Sequence, residues 1–301
     1  MRLTFSRPAH RVVFVLWTLA WLGGCAPIPA EASTHKVETH TEARSENVFL
    51  RPHDLALSPD GRFLYVSDLG NDRVAVLNPM TLQTLGEIGA DRLSDPHDVT
   101  FDDEGRMLVA DSGHDRIAIF EVKGVTGRMV GELKGELGSP EGVAVGPDGT
   151  VYATSASFHT RVAFREGKVA RVVGGHGSER GKYIRPHDVD VDSKGMIHVV
   201  DPGNNRIQVL SPSMEVVRVL GGAGFAFNDA KYMAFTSSGG LVVADEYNNA
   251  VKVFDAEARL VRTITSDGSH PLNKPEGVTV RGDMLWVSDT YNGRILRFRL
   301  E

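Results

Sequence analysis

The chain has 301 residues, of which 41% are hydrophobic and 24% are charged, and it carries a formal net charge of −6 with a single cysteine. This acidic balance argues against a nucleic-acid partner, because such a partner requires a basic face. One cysteine also excludes a disulfide framework and zinc sites built from several thiolates.

The first 24 residues have the pattern of an export signal rather than of a folded segment. Three arginines precede the apolar run 12–22, which has about half of the roughly 20 residues that a membrane span needs. The run leads through two glycines to Cys25, and small residues at that point are typical of a signal-peptide cut site. We therefore predict that residues 1–24 are removed.

The segment ending in Cys25 resembles a bacterial lipobox, in which the cysteine is acylated with a lipid such as palmitate and becomes the new N-terminus. An ordinary cleaved signal and an uncleaved anchor are the alternatives. We favour lipidation because Cys25 is the only cysteine, and a lone cysteine in an exported protein needs an explanation. The resemblance implies a lipoprotein of the cell envelope, and Ala26 implies the outer membrane, facing the periplasm. Without residues 1–24 the net charge is −9.

Six internal repeats follow, each with an apolar strand, a turn, a second apolar strand, an Asp, a loop and a third apolar strand. They begin at Arg51, Asp95, Ser139, Arg185, Ala230 and Lys274. One aligned position recurs at intervals of 44, 44, 46, 44 and 45 residues, and a period of 40–50 residues is typical of β-propellers. The sequence predicts an all-β, six-bladed propeller with four-stranded antiparallel blades.

The last repeat has only three strands, so the final blade needs one more strand to avoid an unpaired edge. Residues 35–40 lie ahead of the first blade at the spacing that the fourth strand has elsewhere. We expect this stretch to pair with the last blade and close the ring. The predicted organisation is a signal peptide (1–24), a lipidated tether (25–34) and a propeller (35–301), which we expect to be a monomer.

The repeat contains a recurring Asp-x-x-Asn-x-Arg pattern, seen at Asp68, Asp201 and Asp289, with His114 replacing Asn in the second blade. These motifs resemble the NHL repeat family, and the resemblance extends over nearly all of the chain from about residue 35. Because the pattern recurs in most blades, we interpret it as architectural: the carboxylate ties the loop between the second and third strands and the Arg braces it. The third and fifth blades depart from the pattern.

The aligned position at the start of each blade carries most of the chemistry in this sequence. In a propeller the loop leading into the innermost strand lies beside the central channel, so these six side chains should encircle one mouth. They are His53, His97, Glu141, His187, Lys231 and Glu276.

Blades two, four and six contribute His97, His187 and Glu276, and two imidazoles with a carboxylate suit Zn²⁺ or another divalent first-row metal. His53 could be a fourth ligand or a general base, Glu141 a second acid or base, and Lys231 a partner for an anionic group. The alternative is a structural ring, in which these groups hydrogen-bond to one another and to channel water.

Two stretches of the chain, RPHDLALSPDGRFLYVSD and RPHDVDVDSKGMIHVVDPGNNRI, resemble blades of the peptidyl-α-hydroxyglycine amidating lyase. That family is a six-bladed propeller with a catalytic zinc held by three channel histidines from alternate blades. The resemblance implies that His97 and His187 are zinc ligands, whereas Glu276 stands where a third histidine is expected.

Two functions therefore remain open. One is a membrane-anchored envelope lipoprotein whose propeller is a binding platform for a protein, peptide or glycan. The other is a metal-dependent lyase or hydrolase in the channel mouth. Motifs of the common serine hydrolases, kinases and zinc proteases are absent from the sequence.

Overall fold

A computed structural model describes residues 41–45 and 49–300, and the signal, the Cys25 lipidation site and the tether lie outside these residues. The described chain is all-β: six four-stranded antiparallel sheets form the blades. This confirms the predicted propeller. None of the helices among the described residues is long and apolar enough to span a membrane.

Blades one to three are continuous in sequence, and each runs from an inner to an outer strand. Blade one is β2 (Pro52–Leu57), β3 (Leu64–Asp68), β4 (Arg73–Leu77) and β5 (Thr84–Ile88). Blade two is β6 (Pro96–Phe101), β7 (Met107–Asp111), β8 (Arg116–Lys123) and β9 (Thr126–Leu133). Blade three is β10 (Val143–Val145), β11 (Val151–Ser155), β12 (Thr160–Arg165) and β13 (Lys168–Gly174).

Blades four and five follow the same order, and blade six ends with the strand that begins the described chain. Blade four is β14 (Val189–Val191), β15 (Ile197–Asp201), β16 (Arg206–Leu210) and β17 (Val216–Gly221). Blade five is β18 (Ala230–Phe235), β19 (Leu241–Asp245), β20 (Ala250–Phe254) and β21 (Leu260–Ile264). Blade six is β22 (Val278–Arg281), β23 (Met284–Asp289), β24 (Arg294–Arg299) and β1 (Thr41–Arg44).

Strand β1 closes the ring by pairing antiparallel with β24, opposite Leu296 to Phe298. Ser45 extends this pairing, because its backbone N–H donates to the Ile295 carbonyl and its hydroxyl accepts from the Ile295 N–H. Closure by an N-terminal strand is thus confirmed. The strand in the structure is Thr41–Arg44, and the predicted stretch 35–40 lies outside the described residues.

The hydrophobic core is divided among the six interfaces between successive blades. Between blades one and two, for example, Val74 and Tyr65 pack against Val99 and Val109. The second strand of a blade, such as β3, β7, β15 or β19, is buried on both faces, since each blade contacts one neighbour on either side. This explains the nearly continuous apolar runs in the sequence.

Short 3-10 helices connect the second and third strands in five blades of the described chain: Leu69–Asn71, Ser112–His114, Pro202–Asn204, Glu246–Asn248 and Thr290–Asn292. In each, the buried Asp that ends the second strand ties the loops together. Asp201 accepts from the backbone N–H of Ile184 at 2.8 Å, from Asn204 at 2.9 Å and from Arg206 at 2.7 Å. The recurring motif is architectural, as predicted. In blade five Lys252 takes the place of the arginine, 2.6 Å from Asp245.

Candidate functional site

A repeated backbone turn aims one side chain of each blade into the channel. Two residues before that side chain, the backbone has a positive φ between 46° and 61° in every blade, which is uncommon for residues other than glycine. Those residues are Arg51, Asp95, Ser139, Arg185, Asp229 and Lys274.

In five blades the N–H of this turn residue donates to a side chain of the preceding blade: Asp72, Asp115, His159, Asn205 or Asn249. Each of these five side chains thereby holds the backbone turn of the next blade in place.

Three histidines from blades one, two and four converge at the channel mouth. The ring centroids of His53 and His97 are 4.7 Å apart in an edge-on arrangement, and the His187 ring lies 6.4 Å and 6.3 Å from them. His97 Nδ1 donates to the Asp95 carbonyl at 3.0 Å. The predicted convergence of the histidines is therefore present, although they lie on adjacent as well as alternate blades.

Two buried glutamates complete the cluster. His53 Nδ1 lies 3.3 Å from Oε2 of Glu276, and His187 Nε2 lies 3.4 Å from Oε2 of Glu141. Among the described residues, His53, His187 and Glu276 offer ligand atoms that all lie within 4.8 Å of one another. The sequence predicted His97 as the third member of this group, but the structure has His53 there. His97 packs against His53 and lies outside the trio.

Burial controls the charge of these groups. Desolvation lowers the pKa of His53 and of His187 well below the usual value, and it lowers the pKa of His97 to about 4. Burial also raises the pKa of Glu141 to about 7 and that of Glu276 to about 8. The imidazoles are thus neutral at physiological pH, which is the form that binds metals.

Several buried polar atoms in the cluster make no hydrogen bond to a described residue. They are Nδ1 and Nε2 of His53, Nδ1 of His187 and Oε2 of Glu141. Buried polar atoms are normally satisfied, so atoms without a partner at a converging site indicate room for a ligand, a water molecule or an ion.

Lys231 completes the ring but already has partners. Its ammonium lies 3.2 Å from Asp229 and 3.3 Å from Glu246. Burial acts to lower its pKa, yet these carboxylates raise the pKa above the usual value. Arg185, which lies beside the mouth, contacts Glu141 at 3.4 Å. Neither the Glu246 contact nor the Arg185 contact could be predicted from the repeat, because both residues lie outside the aligned position.

A second layer lies one residue deeper in the channel. The Asp98 carboxylate accepts from the Val143 N–H, and the Asp188 carboxylate accepts from the Met233 N–H at 2.9 Å, so each joins its blade to the next blade of the ring. The Tyr232 hydroxyl reaches across to donate to the Glu141 carbonyl at 2.9 Å. Its ring meets the His187 ring edge-on at 4.7 Å.

Two blades have glycine at the second-layer position, Gly142 and Gly277, and there the neighbouring strands lie very close together. A Cβ on Gly277 would lie 2.2 Å from the carbonyl oxygen of His53, and a Cβ on Gly142 would lie 2.6 Å from that of His187. No side chain fits at such distances. Glycine at these positions therefore allows blades three and six to approach the neighbouring blades that carry His187 and His53.

Beyond this layer the channel opens into a cavity of about 110 Å³. Asp54, Asp98, Asp188 and Asp190 line it together with the apolar side chains of the innermost strands. Desolvation raises the pKa of Asp98 to about 6 and that of Asp190 to about 7. Asp190 could not be predicted from the repeat, because it comes two residues after the repeated Asp.

Comparison with known proteins agrees with this architecture. The NHL repeat model matches residues 93–120, and the model of the strictosidine synthase-like N-terminal region matches residues 132–157. Residues 93–120 thus match an NHL repeat within a six-bladed propeller.

The chain is 27% identical to peptidyl-glycine alpha-amidating monooxygenase B of Xenopus laevis over 194 residues. The match covers 58% of the chain and 22% of the relative, so the propeller spans about a fifth of that protein's length. The resemblance to the amidating lyase is confirmed as a distant one.

Solved structures share the fold at low identity. Virginiamycin B lyase of Staphylococcus aureus, in a catalytically inactive form with quinupristin, has a TM-score of 0.61 at 14% identity, and the match covers 85% of this chain and 82% of the lyase. An auxiliary nutrient binding protein of Bacteroides ovatus has a TM-score of 0.63 at 13% identity, covering 83% and 69%.

Proposed function

We propose that this protein is a binding propeller that seats its ligand at the channel mouth, against a divalent metal held by His53, His187 and Glu276. The observation that carries the proposal is that these three buried side chains offer ligand atoms within 4.8 Å of one another, although they come from three blades. Two imidazoles and one carboxylate are the donor set of zinc sites that keep a coordination position open.

The state of the two histidine donors supports a metal, and a bound cation would displace the proton that burial favours on Glu276. The imidazole nitrogens of His53 and Nδ1 of His187 have no hydrogen-bond partner among the described residues, and the lowered histidine pKa values keep the rings neutral. When bound, the metal would supply a Lewis-acidic position for an oxygen of the ligand. The residues of the chain would hold that metal and exclude water from it.

The surroundings of the mouth favour a peptide as the ligand, among the protein, peptide and glycan classes. Tyr247 and Tyr291 are about half exposed, and the Lys274 ammonium lies 4.7 Å and 4.6 Å from their ring centroids. Exposed aromatic rings supply contact area, and the guanidinium of Arg185 suits a carboxylate. The distant relative is named for peptidyl-glycine, and a protein of the same fold is named for nutrient binding, which agrees with a ligand-binding role.

Equilibrium dialysis against Zn²⁺, followed by elemental analysis, tests the metal site on the full-length protein in detergent. We expect one equivalent in the wild type, a loss of at least tenfold in affinity in His187→Ala and Glu276→Gln, and a smaller loss in His97→Ala. His114→Asn is the matched control, since it restores the residue that other blades carry. A folded wild type without zinc would remove the proposal.

The ligand class is tested with fluorescent peptides that end in glycine, each prepared with a free and with an amidated C-terminus. We expect the free acid to bind the zinc-loaded protein more tightly, and Tyr291→Ala to weaken both peptides. Equal binding of both forms to the metal-free protein would contradict this ligand class.

A lyase is the second candidate, favoured by the position of Glu141. Its Oε2 lies 3.4 Å from His187 Nε2, at the edge of the metal trio, where a carboxyl group could move a proton to or from a bound substrate. Cleavage of a peptidyl-α-hydroxyglycine at its N–Cα bond would transfer the hydroxyl proton and release a peptide amide and glyoxylate. Glyoxylate release by the zinc-loaded wild type, lost in Glu141→Gln, would establish the lyase.

We infer from the sequence that a lipid on Cys25 anchors the propeller to the envelope, in the outer membrane facing the periplasm. The support is the segment that resembles a lipobox and the absence of any other cysteine in the chain. Labelling of expressing cells with radioactive palmitate should mark the wild type and not Cys25→Ser, and Cys25→Ser should leave the membrane fraction. An unlabelled wild type would refute the anchor.

A further inference from the structure

One buried cation, in blade three, departs from the repeat pattern. Arg161, in β12, has no exposed surface, and its Nε, Nη1 and Nη2 make no hydrogen bond to any described residue. A guanidinium stays protonated in proteins, so the charge cannot be removed by losing a proton. An unpaired charge inside a protein is strongly unfavourable, and it requires a counter-charge.

Comparison of the blades shows how unusual this arginine is. Arg161 pairs with Thr154 across blade three, and its side chain points along the same face of β12 as Ala163, toward blade four. The equivalent position in every other blade is a fully buried aliphatic residue within the corresponding interface: Val74, Ile117, Ile207, Val251 and Ile295.

A second departure occurs in the same interface. Tyr183 is fully buried between blades three and four, and its hydroxyl also has no hydrogen-bond partner among the described residues. The equivalent residues, four positions before each member of the mouth ring, have no hydroxyl: Phe49, Leu93, Leu137, Phe227 and Leu272. In each of the other interfaces these two positions share one hydrophobic cluster, so Arg161 and Tyr183 are neighbours by equivalence.

The carboxylate that would neutralise Arg161 is missing from its blade. Ser155 stands where the other blades have the buried Asp, and its hydroxyl is engaged with the backbone of Gly138. The ionisable groups that act on Arg161 are the hydroxyls of Tyr183 and Tyr152 and the cation of Arg171. Thr160 adds another buried hydroxyl without a partner. Among the described residues, the interface thus presents a buried cation and unpartnered hydroxyls without a carboxylate beside them.

We propose that Arg161 and Tyr183 bind a small monovalent anion of the halide class between blades three and four. A guanidinium only donates and a phenolic O–H can donate, so one partner shared by both groups must accept, and an anion also supplies the missing counter-charge. Both residues have no exposed surface, which excludes a peptide carboxylate or a phosphate ester and leaves an ion of the size of chloride. This site is separate from the metal trio and does not depend on it.

Thermal unfolding of the full-length protein in sodium chloride and in sodium gluconate of equal ionic strength tests the proposal. An ion that binds only the folded state raises Tm, and we expect about 5 °C in 100 mM chloride. Arg161→Val, which installs the aliphatic residue of the other blades, should abolish this chloride effect and melt above the wild type in gluconate. Arg165→Gln, an exposed arginine on the same strand, is the control and should keep the effect.

Two further measurements keep the test decisive if Arg161→Val does not fold. Tyr183→Phe carries the side chain of two other blades and should reduce the chloride effect by about half. Crystals soaked in bromide should show anomalous density beside Arg161. Equal chloride effects in the wild type and Tyr183→Phe, or water alone beside Arg161 in bromide-soaked crystals, would overturn the proposal.

Discussion

Nδ1 of His53 lies 3.3 Å from Oε2 of Glu276, so the first and last blades of the ring meet in one pair of side chains. The pair forms only when the ring is closed, because His53 belongs to blade one and Glu276 leads into blade six. Closure of the fold and assembly of the candidate metal site are therefore linked.

Removing the closing strand tests this link. Deletion of residues 41–45 exposes the edge of β24 and removes several hydrogen bonds of about 1 kcal/mol each. We expect Tm to fall by roughly 10 °C for a domain of this size, and zinc affinity to fall with it. Deletion of residues 30–34, in the predicted tether, is the control. An unchanged Tm in the 41–45 deletion would disprove the role of β1.

The close approach at Gly277 should be essential for the position of His53. In Gly277→Ala the new methyl group would meet the His53 carbonyl at 2.2 Å, so the backbone must move. We expect a loss of about 1–3 kcal/mol in the free energy of unfolding, measured by urea titration, together with weaker zinc binding. Gly224→Ala, whose Cβ would face open space, should change neither. Normal zinc affinity in Gly277→Ala would contradict the proposed trio.

The buried carboxylates of the repeat should be costly to remove. Asp201→Ala leaves the Ile184 N–H and the Arg206 guanidinium without their buried acceptor, and breaking such a pair costs about 3–5 kcal/mol. Asp60→Ala breaks an exposed pair with Arg62, and solvent-exposed pairs of this kind contribute little to stability. Urea unfolding of both variants measures the difference, and similar losses would contradict an architectural role for the motif.

The cavity acid Asp190 should make stability depend on pH. Burial raises its pKa to about 7, above that of the unfolded chain near 4, so between these values the folded state holds a proton that the unfolded state lacks. The associated stability is fully present below about pH 4 and is lost as the pH rises toward 7.

Asp190→Asn should therefore flatten the decline of stability between pH 4.5 and 7 by up to about 1.4 kcal/mol per pH unit, the limit for one proton. Asp60→Asn is the control, because hydrogen bonds from Ser58 and Arg62 lower the pKa of Asp60 to about 2, outside this range. Parallel profiles for the wild type and Asp190→Asn would show that Asp190 does not titrate as described.

The periodic features of the molecule could be predicted from the amino-acid sequence alone. The recurrence of one position every 44–46 residues determined the six blades, and it identified His53, His97, Glu141, His187, Lys231 and Glu276 as one ring. Recurrence also indicated that Asp68 and its equivalents are structural. A sequence repeat identifies residues at the same position of each blade, and such residues occupy equivalent places around the pseudo-symmetry axis.

Only the tertiary structure decided which members of the ring come together and which residues break the pattern. His53 rather than His97 joins His187 and Glu276, because side-chain rotamers and the close approach at Gly277 set distances that a rotation axis alone does not specify. In the sequence Arg161 stands one residue later than the motif arginine of the other blades, but only the strand pairing with Thr154 shows that it occupies a buried position. Contacts between blades depend on angles and packing across the chain, and these are set by the whole fold rather than by any local segment.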